Sequence, residues 1–105
     1  GAVKSVLESS RIAREARLIE DLFREIATDG KAAYGMKEVQ SAVNFGAVES
    51  LLVLDELARM GSAEEIMREV AAARGKVVIF SSEFEPGERL RSLGGIAALL
   101  RFKIA

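Results

Sequence analysis

Val77-Val78-Ile79-Phe80-Ser81-Ser82 and Gly94-Gly95-Ile96-Ala97-Ala98-Leu99-Leu100-Arg101-Phe102 decide the reading of this chain. Each is a short apolar run bounded by turn-forming residues, the pattern of a strand covered on both faces. The polar stretch between them carries the only proline, Pro86. Proline suits the first position of a helix, so a short helix is expected from Pro86 to Leu93. Gly94-Gly95 reads as a tight lead into a final strand reaching Ile104, rather than as an anion cradle.

Working back towards the start, Leu51-Leu52-Val53-Leu54 within Glu49–Asp55 reads as a central strand, and Lys76–Ser81 as the strand beside it. A shorter strand is expected at Lys31–Tyr34. Ile12, Ala16, Ile19, Phe23 and Ile26 recur at helical spacing and predict one long helix over Ser10–Thr28, closed by Asp29-Gly30. Arg11 with Glu15, Arg17 with Asp21 and Glu20 with Arg24 stand four apart and read as ion pairs on its solvated flank. A second helix follows Gly35 with Val39, Ala42 and Val43 inward, up to Gly46. Ser62-Ala63-Glu64-Glu65 has the form of a capping box and opens a third, with Ile66, Val70 and Ala73 inward, up to Gly75. The fold expected is a three-layer α/β/α sandwich around a four-stranded mixed, mostly parallel sheet.

Composition narrows the chemistry. The 105 residues make one domain, half of them hydrophobic and 30% charged, and the formal net charge is −1. No overall field draws such a chain onto nucleic acid or anionic lipid. Cysteine and histidine are both absent, which removes disulfides, thiol nucleophiles, the commonest transition-metal ligands and the usual proton shuttle near neutral pH. No apolar segment is long enough for a membrane span, and the first residues lack a signal-peptide core, so a cytoplasmic chain without membrane contact is expected. Residues 36–74 carry four positive and seven negative side chains and residues 75–105 five and three. That distribution suits docking onto protein surfaces better than tracking a phosphate backbone. Gly1-Ala2 reads as an expression scar or as the cut end of a longer protein, the second being favoured, with residues 1–9 as a linker or helix lead-in.

No glycine pattern matches a dinucleotide or phosphate loop. Asp55-Glu56 closes a strand and Glu64-Glu65 opens a helix, but neither belongs to a metal or acid–base spacing. No catalytic residue, metal site or cofactor is therefore expected. Most aromatic residues alternate with aliphatic ones and read as core. Phe84, within Glu83-Phe84-Glu85, is the exception and is expected to be an exposed interface anchor.

Two stretches carry a family resemblance. One runs Tyr34-Gly35-Met36-Lys37-Glu38-Val39-Gln40-Ser41-Ala42-Val43-Asn44-Phe45-Gly46 and on through Leu51-Leu52-Val53-Leu54-Asp55-Glu56-Leu57. The other runs from Ile79-Phe80-Ser81-Ser82 through Gly87-Glu88-Arg89-Leu90 to Gly94-Gly95-Ile96-Ala97-Ala98-Leu99-Leu100-Arg101-Phe102. Both closely resemble the C-terminal domain of the Pelota family, ribosome-rescue paralogues of the class-1 translation termination factors, in its archaeal form. The short Asp55–Val77 segment favours Pelota over a termination factor, whose domain usually carries extra sequence there.

The resemblance implies the third domain of a three-domain factor acting on stalled ribosomes in mRNA surveillance and no-go decay. It implies docking onto an elongation-factor-like GTPase and an ABC-type recycling ATPase. The metal-dependent RNA cleavage credited to some family members is attributed to another domain, so this one is expected to be no enzyme. It also implies a fold similar to kink-turn-binding ribosomal proteins, and hence RNA binding as the rival function. Met36-Lys37-Glu38-Val39-Gln40-Ser41 keeps the glutamate of that RNA signature but lacks its asparagine and following lysine. Losing a base-contacting amide and a phosphate-contacting cation makes direct RNA binding an unfavoured alternative. The partner surface is expected at Glu83, Phe84, Glu85, Glu88 and Arg89, with Asp55, Glu56 and Arg59 at the end of the central strand. The competing reading makes these eight merely solvated loop residues.

Overall fold

The computed structural model describes the backbone of residues 2–103 and the side chains of residues 10–103. In chain order the elements are α1 (Ala2–Ala27), β1 (Ala32–Tyr34), α2 (Met36–Asn44), β2 (Val48–Leu54), α3 (Asp55–Met60), α4 (Glu64–Ala72), β3 (Lys76–Phe80), α5 (Glu85–Arg91) and β4 (Ile96–Leu100). The four strands form one sheet in the order β1-β4-β2-β3. Strands β2 and β3 are parallel, while β4 runs antiparallel to both β1 and β2.

The sheet is mixed, as expected, but not mostly parallel. The chain leaves β3 and re-enters the sheet at the same end, where the Leu54 amide donates to the Gly95 carbonyl. A strand started at that end must run back against β2. The paired glycines make this re-entry possible, both with positive φ, 99° at Gly94 and 82° at Gly95. Beyond Leu100 the backbone leaves the sheet, and Ile104 lies outside the described residues.

Side chains alternate across the sheet with the strand period of two. Leu51, Val53, Ile96, Ala98 and Leu100 pack beneath Val39 and Ala42 of α2 and Ile66 and Val70 of α4. Leu52, Leu54, Phe80 and Ala97 face the other way, against Ile19 and Leu22 of α1 and Leu90 of α5. Three layers result. The two apolar runs differ in depth, however. Strand β4 has neighbours on both sides, whereas β3 is an edge strand whose Val77, Val78 and Ile79 are only half-buried.

Helix α1 begins well before Ser10, and its innermost apolar side chains are Ile19 and Leu22, with Phe23 and Ile26 half-buried. Only one of the three expected ion pairs forms, Arg11 with Glu15, and Glu15 is fully buried instead of solvated. Asp21 pairs with Arg24, and Glu20 reaches across to Arg89 of α5. The capping box does not form. Ala63, wholly buried, occupies the N-cap of α4 without a side-chain cap bond, and Ser62 is left exposed. Burial of Ala63 fixes where α4 starts, after the unexpected helix α3 has ended on the left-handed Gly61. Of the aromatic residues only Phe80 is buried, while Tyr34, Phe45 and Phe102 are exposed. Among the described residues no helix is long and apolar enough to cross a membrane.

Candidate functional site

Because β2 and β3 are parallel, both deliver their following loops to one end of the sheet. Asp55 opens α3 directly after β2, and the turn Ser81–Phe84 links β3 to α5. Where a strand ladder stops, its next amides need other acceptors. Three consecutive ones find side-chain oxygens. Ser81 N–H donates to Glu15 Oε1 at 3.3 Å, Ser82 N–H to Asp55 Oδ2 at 3.2 Å, and Glu83 N–H to Ser81 Oγ at 3.2 Å. The Ser81 carbonyl is held as well. A Cβ on Gly87 would lie 1.8 Å from that oxygen, so the first turn of α5 rests directly on it.

Asp55 is ionised more readily than an ordinary aspartate. Burial pushes its carboxyl up, but hydrogen bonds from Ser82 and the Glu56 amide, with the Arg59 charge, outweigh this and hold it below the ordinary value of 3.8. Arg59 stands 3.9 Å from Asp55 Oδ2, and Asp55 Oδ1 is buried with no hydrogen-bond partner among the described residues. Two ion pairs brace α5. Arg91 pairs with Glu56 of α3, and Arg89 pairs with Glu20 of α1 at 2.6 Å. The Arg89 guanidinium also lies 4.6 Å from the centre of the Phe23 ring, within cation–π range.

The two groups of expected partner residues, some 25 positions apart in sequence, thus meet at one end of the sheet. Their exposure is uneven. Glu83, Glu85 and Glu88 are exposed and form no salt bridge among the described residues, and Arg59 is exposed. Phe84 is half-buried as the N-cap residue of α5, so the exposed anchor expected there is absent. Arg89 is committed to α1 and is not a free surface charge.

Sequence reading missed Glu15, Glu20, Ser81, Ser82 and Arg91 as parts of this assembly. A signal existed for Glu15, which shares the helix face of Ile19, Leu22 and Ile26 at offsets of four, seven and eleven.

Among the described residues no group of three or more acidic residues is placed to hold a metal ion. A cleft of about 520 Å³ lies at the far end of the sheet beside Asp29, Ser41 and Lys103. It also touches Glu38, the residue shared with the RNA-binding signature. Gln40 of the same turn is tied to Asn44 and Glu69.

The family model for eRF1 domain 3 matches residues 12–104. The chain belongs to the eRF1 domain 3 family. Within it, the chain is similar to archaeal Pelota. It is 62% identical over 104 residues to the Pelota homolog of Methanothrix thermoacetophila, covering 99% of this chain and 30% of that protein. The crystal structure of Archaeoglobus fulgidus Pelota aligns with a TM-score of 0.88 at 48% identity, over 95% of this chain and 33% of that one. Archaeal Pelota bound to the ribosome with ABCE1 aligns at 0.84 and 50% identity, over 100% of this chain and 30% of that one. Dom34 of S. cerevisiae, a translation termination-like factor interacting with Hbs1, aligns at 0.81 and 29% identity, over 96% of this chain and 30% of that one. The chain therefore spans about a third of the length of these relatives.

Proposed function

We propose that this chain is the protein-interaction domain, third of three, of a Pelota-type ribosome-rescue factor of the cytoplasm. It docks onto an elongation-factor-like GTPase and an ABC-type recycling ATPase on stalled ribosomes, through the end of the sheet that carries Glu83, Glu85, Glu88 and Arg59. The observation that carries the surface is the convergence of those side chains on one rigid end. Charges held on a fixed backbone suit the steering and register of a complementary protein surface. The assignment of partners is supported by the family and by relatives, one in a model of ribosome-bound Pelota and ABCE1 and one that interacts with Hbs1. Catalysis is left to other domains of the parent factor.

Site-specific photocrosslinking tests the surface. A photoreactive residue at Glu85 of the full-length parent should trap the GTPase or the ATPase, and one at Lys103, beyond β4 at the far end, should trap neither. Crosslinks from Lys103 alone would move the docking face to the other end of the sheet.

A further inference from the structure

A carboxylate buried beneath a helix is costly unless its oxygens are satisfied, and an aliphatic side chain would pack there more simply. Glu15 sits on the buried face of α1, one turn before Ile19 and two before Leu22, and is itself fully buried. Its Oε2 accepts from Arg11 Nε at 3.0 Å, which supplies the countercharge. Its Oε1 accepts the Ser81 amide, 66 residues on in sequence. Next along the chain, Asp55 accepts the Ser82 amide at 3.2 Å. Gly87 then seats α5 on the Ser81 carbonyl. The turn that leads to Glu83, Glu85 and Glu88 is therefore gripped by one carboxylate from α1 and one from the end of β2.

We propose that Glu15 and Asp55 are positioning residues forming a two-carboxylate clamp on the Ser81–Glu83 turn, so that the acidic crest is presented only while α1 is seated on the sheet. Helix α1 becomes a lever on the docking surface. The seat of α1 reaches the crest through the Glu15 hydrogen bond, through the Glu20–Arg89 ion pair with Phe23 beneath Arg89, and through Leu90 packed against Ile19 and Leu22. The effect on docking rests on the function proposed above, while the clamp itself does not.

Amide hydrogen exchange followed by NMR on this chain separates the two. Glu15→Ala should speed exchange of the Ser81 amide about tenfold or more, the scale expected when a hydrogen bond to a charged acceptor is lost. Glu15→Gln, which keeps an acceptor oxygen, should restore protection to within about threefold, on the same footing. Asp55→Ala should act first on Ser82. The Leu52 and Ala98 amides, inside the sheet, report global opening and should stay protected in all three variants. An unchanged Ser81 amide in Glu15→Ala, or one that rises only in step with Leu52 and Ala98, overturns the clamp.

The coupling is then read in the full-length parent. Glu15→Ala should weaken binding to the GTPase or the ATPase about tenfold, a modest coupling between sites, and Glu15→Gln should restore it. If Ser81 is released while Glu15→Ala binds as the wild type does, and reversal of the Glu83, Glu85 and Glu88 charges still weakens binding, the lever is wrong although the docking face stands. If that reversal also changes nothing, the docking face is what has failed and the clamp remains.

Discussion

Glu15 and Phe23 lie two turns apart on α1 and exchange the roles that their side-chain types suggest. The carboxylate goes inside, between Arg11 and the Ser81 amide, and the phenyl ring stays half-buried beneath Arg89. Leu22→Ala should therefore cost about 2–5 kcal/mol in chemical denaturation, the range for a fully buried leucine. Phe23→Ala should cost less than the roughly 3–5 kcal/mol of a core phenylalanine, with part of its loss coming from Arg89. A Phe23 loss larger than that of Leu22 would contradict this ordering. Asp55 sets a pH dependence. Its carboxyl is depressed in the folded chain, so it adds stability above its ordinary value near 3.8, and that stability is lost as the pH falls through the folded value. Asp55→Asn should lower the melting temperature near neutrality and flatten its decline on the acid limb. An acid limb as steep as in the wild type would show that other carboxylates govern it.

The apolar periods of β2, β4, α2 and α4 were legible because each buries its face in the core directly, although Ala73, expected inward, is the exposed C-cap of α4. Less was legible where position depends on a neighbour. Val77-Val78-Ile79 reads alike at a sheet centre or an edge, since a run of apolar residues does not count the strands beside it. Asp55–Met60 was hidden as a helix because its six residues bury none of their side chains fully. The Ser62–Glu65 box failed because burial of Ala63 outbid a local cap worth about 1 kcal/mol. Of the candidate site, the segments were legible but not the contacts: Asp55 and Ser82 meet only after β2 and β3 pair in parallel. Gly87 gives a prediction with a definite sign. Helix propensity alone favours alanine over glycine by about 1 kcal/mol. A Cβ 1.8 Å from the Ser81 carbonyl is far inside contact distance and forces α5 to move. Gly87→Ala should lower the melting temperature despite the propensity gain. A stabilised variant would mean that α5 does not rest on Ser81.

Taken whole, the molecule keeps its two ends distinct. One holds the clamped turn, α3 and the acidic crest, and the other holds the cleft beside Glu38 and Lys103. The net charge is −1, so no overall field draws the chain onto a phosphate backbone. The chain should bind a kink-turn RNA no better than a scrambled duplex even at low salt, where phosphate contacts strengthen. Saturable, selective binding below about micromolar would restore the RNA-binding reading. Docking through this end of the sheet is decided by the affinity of the full-length parent for the GTPase and the ATPase, each titrated separately by calorimetry. The triple variant Glu83→Lys, Glu85→Lys, Glu88→Lys should leave stability within about 0.5 kcal/mol per site, as exposed substitutions do. It should weaken at least one partner by about tenfold or more, since like charges brought together at an interface are costly. Unchanged affinity for both partners, with the fold intact, would contradict the account.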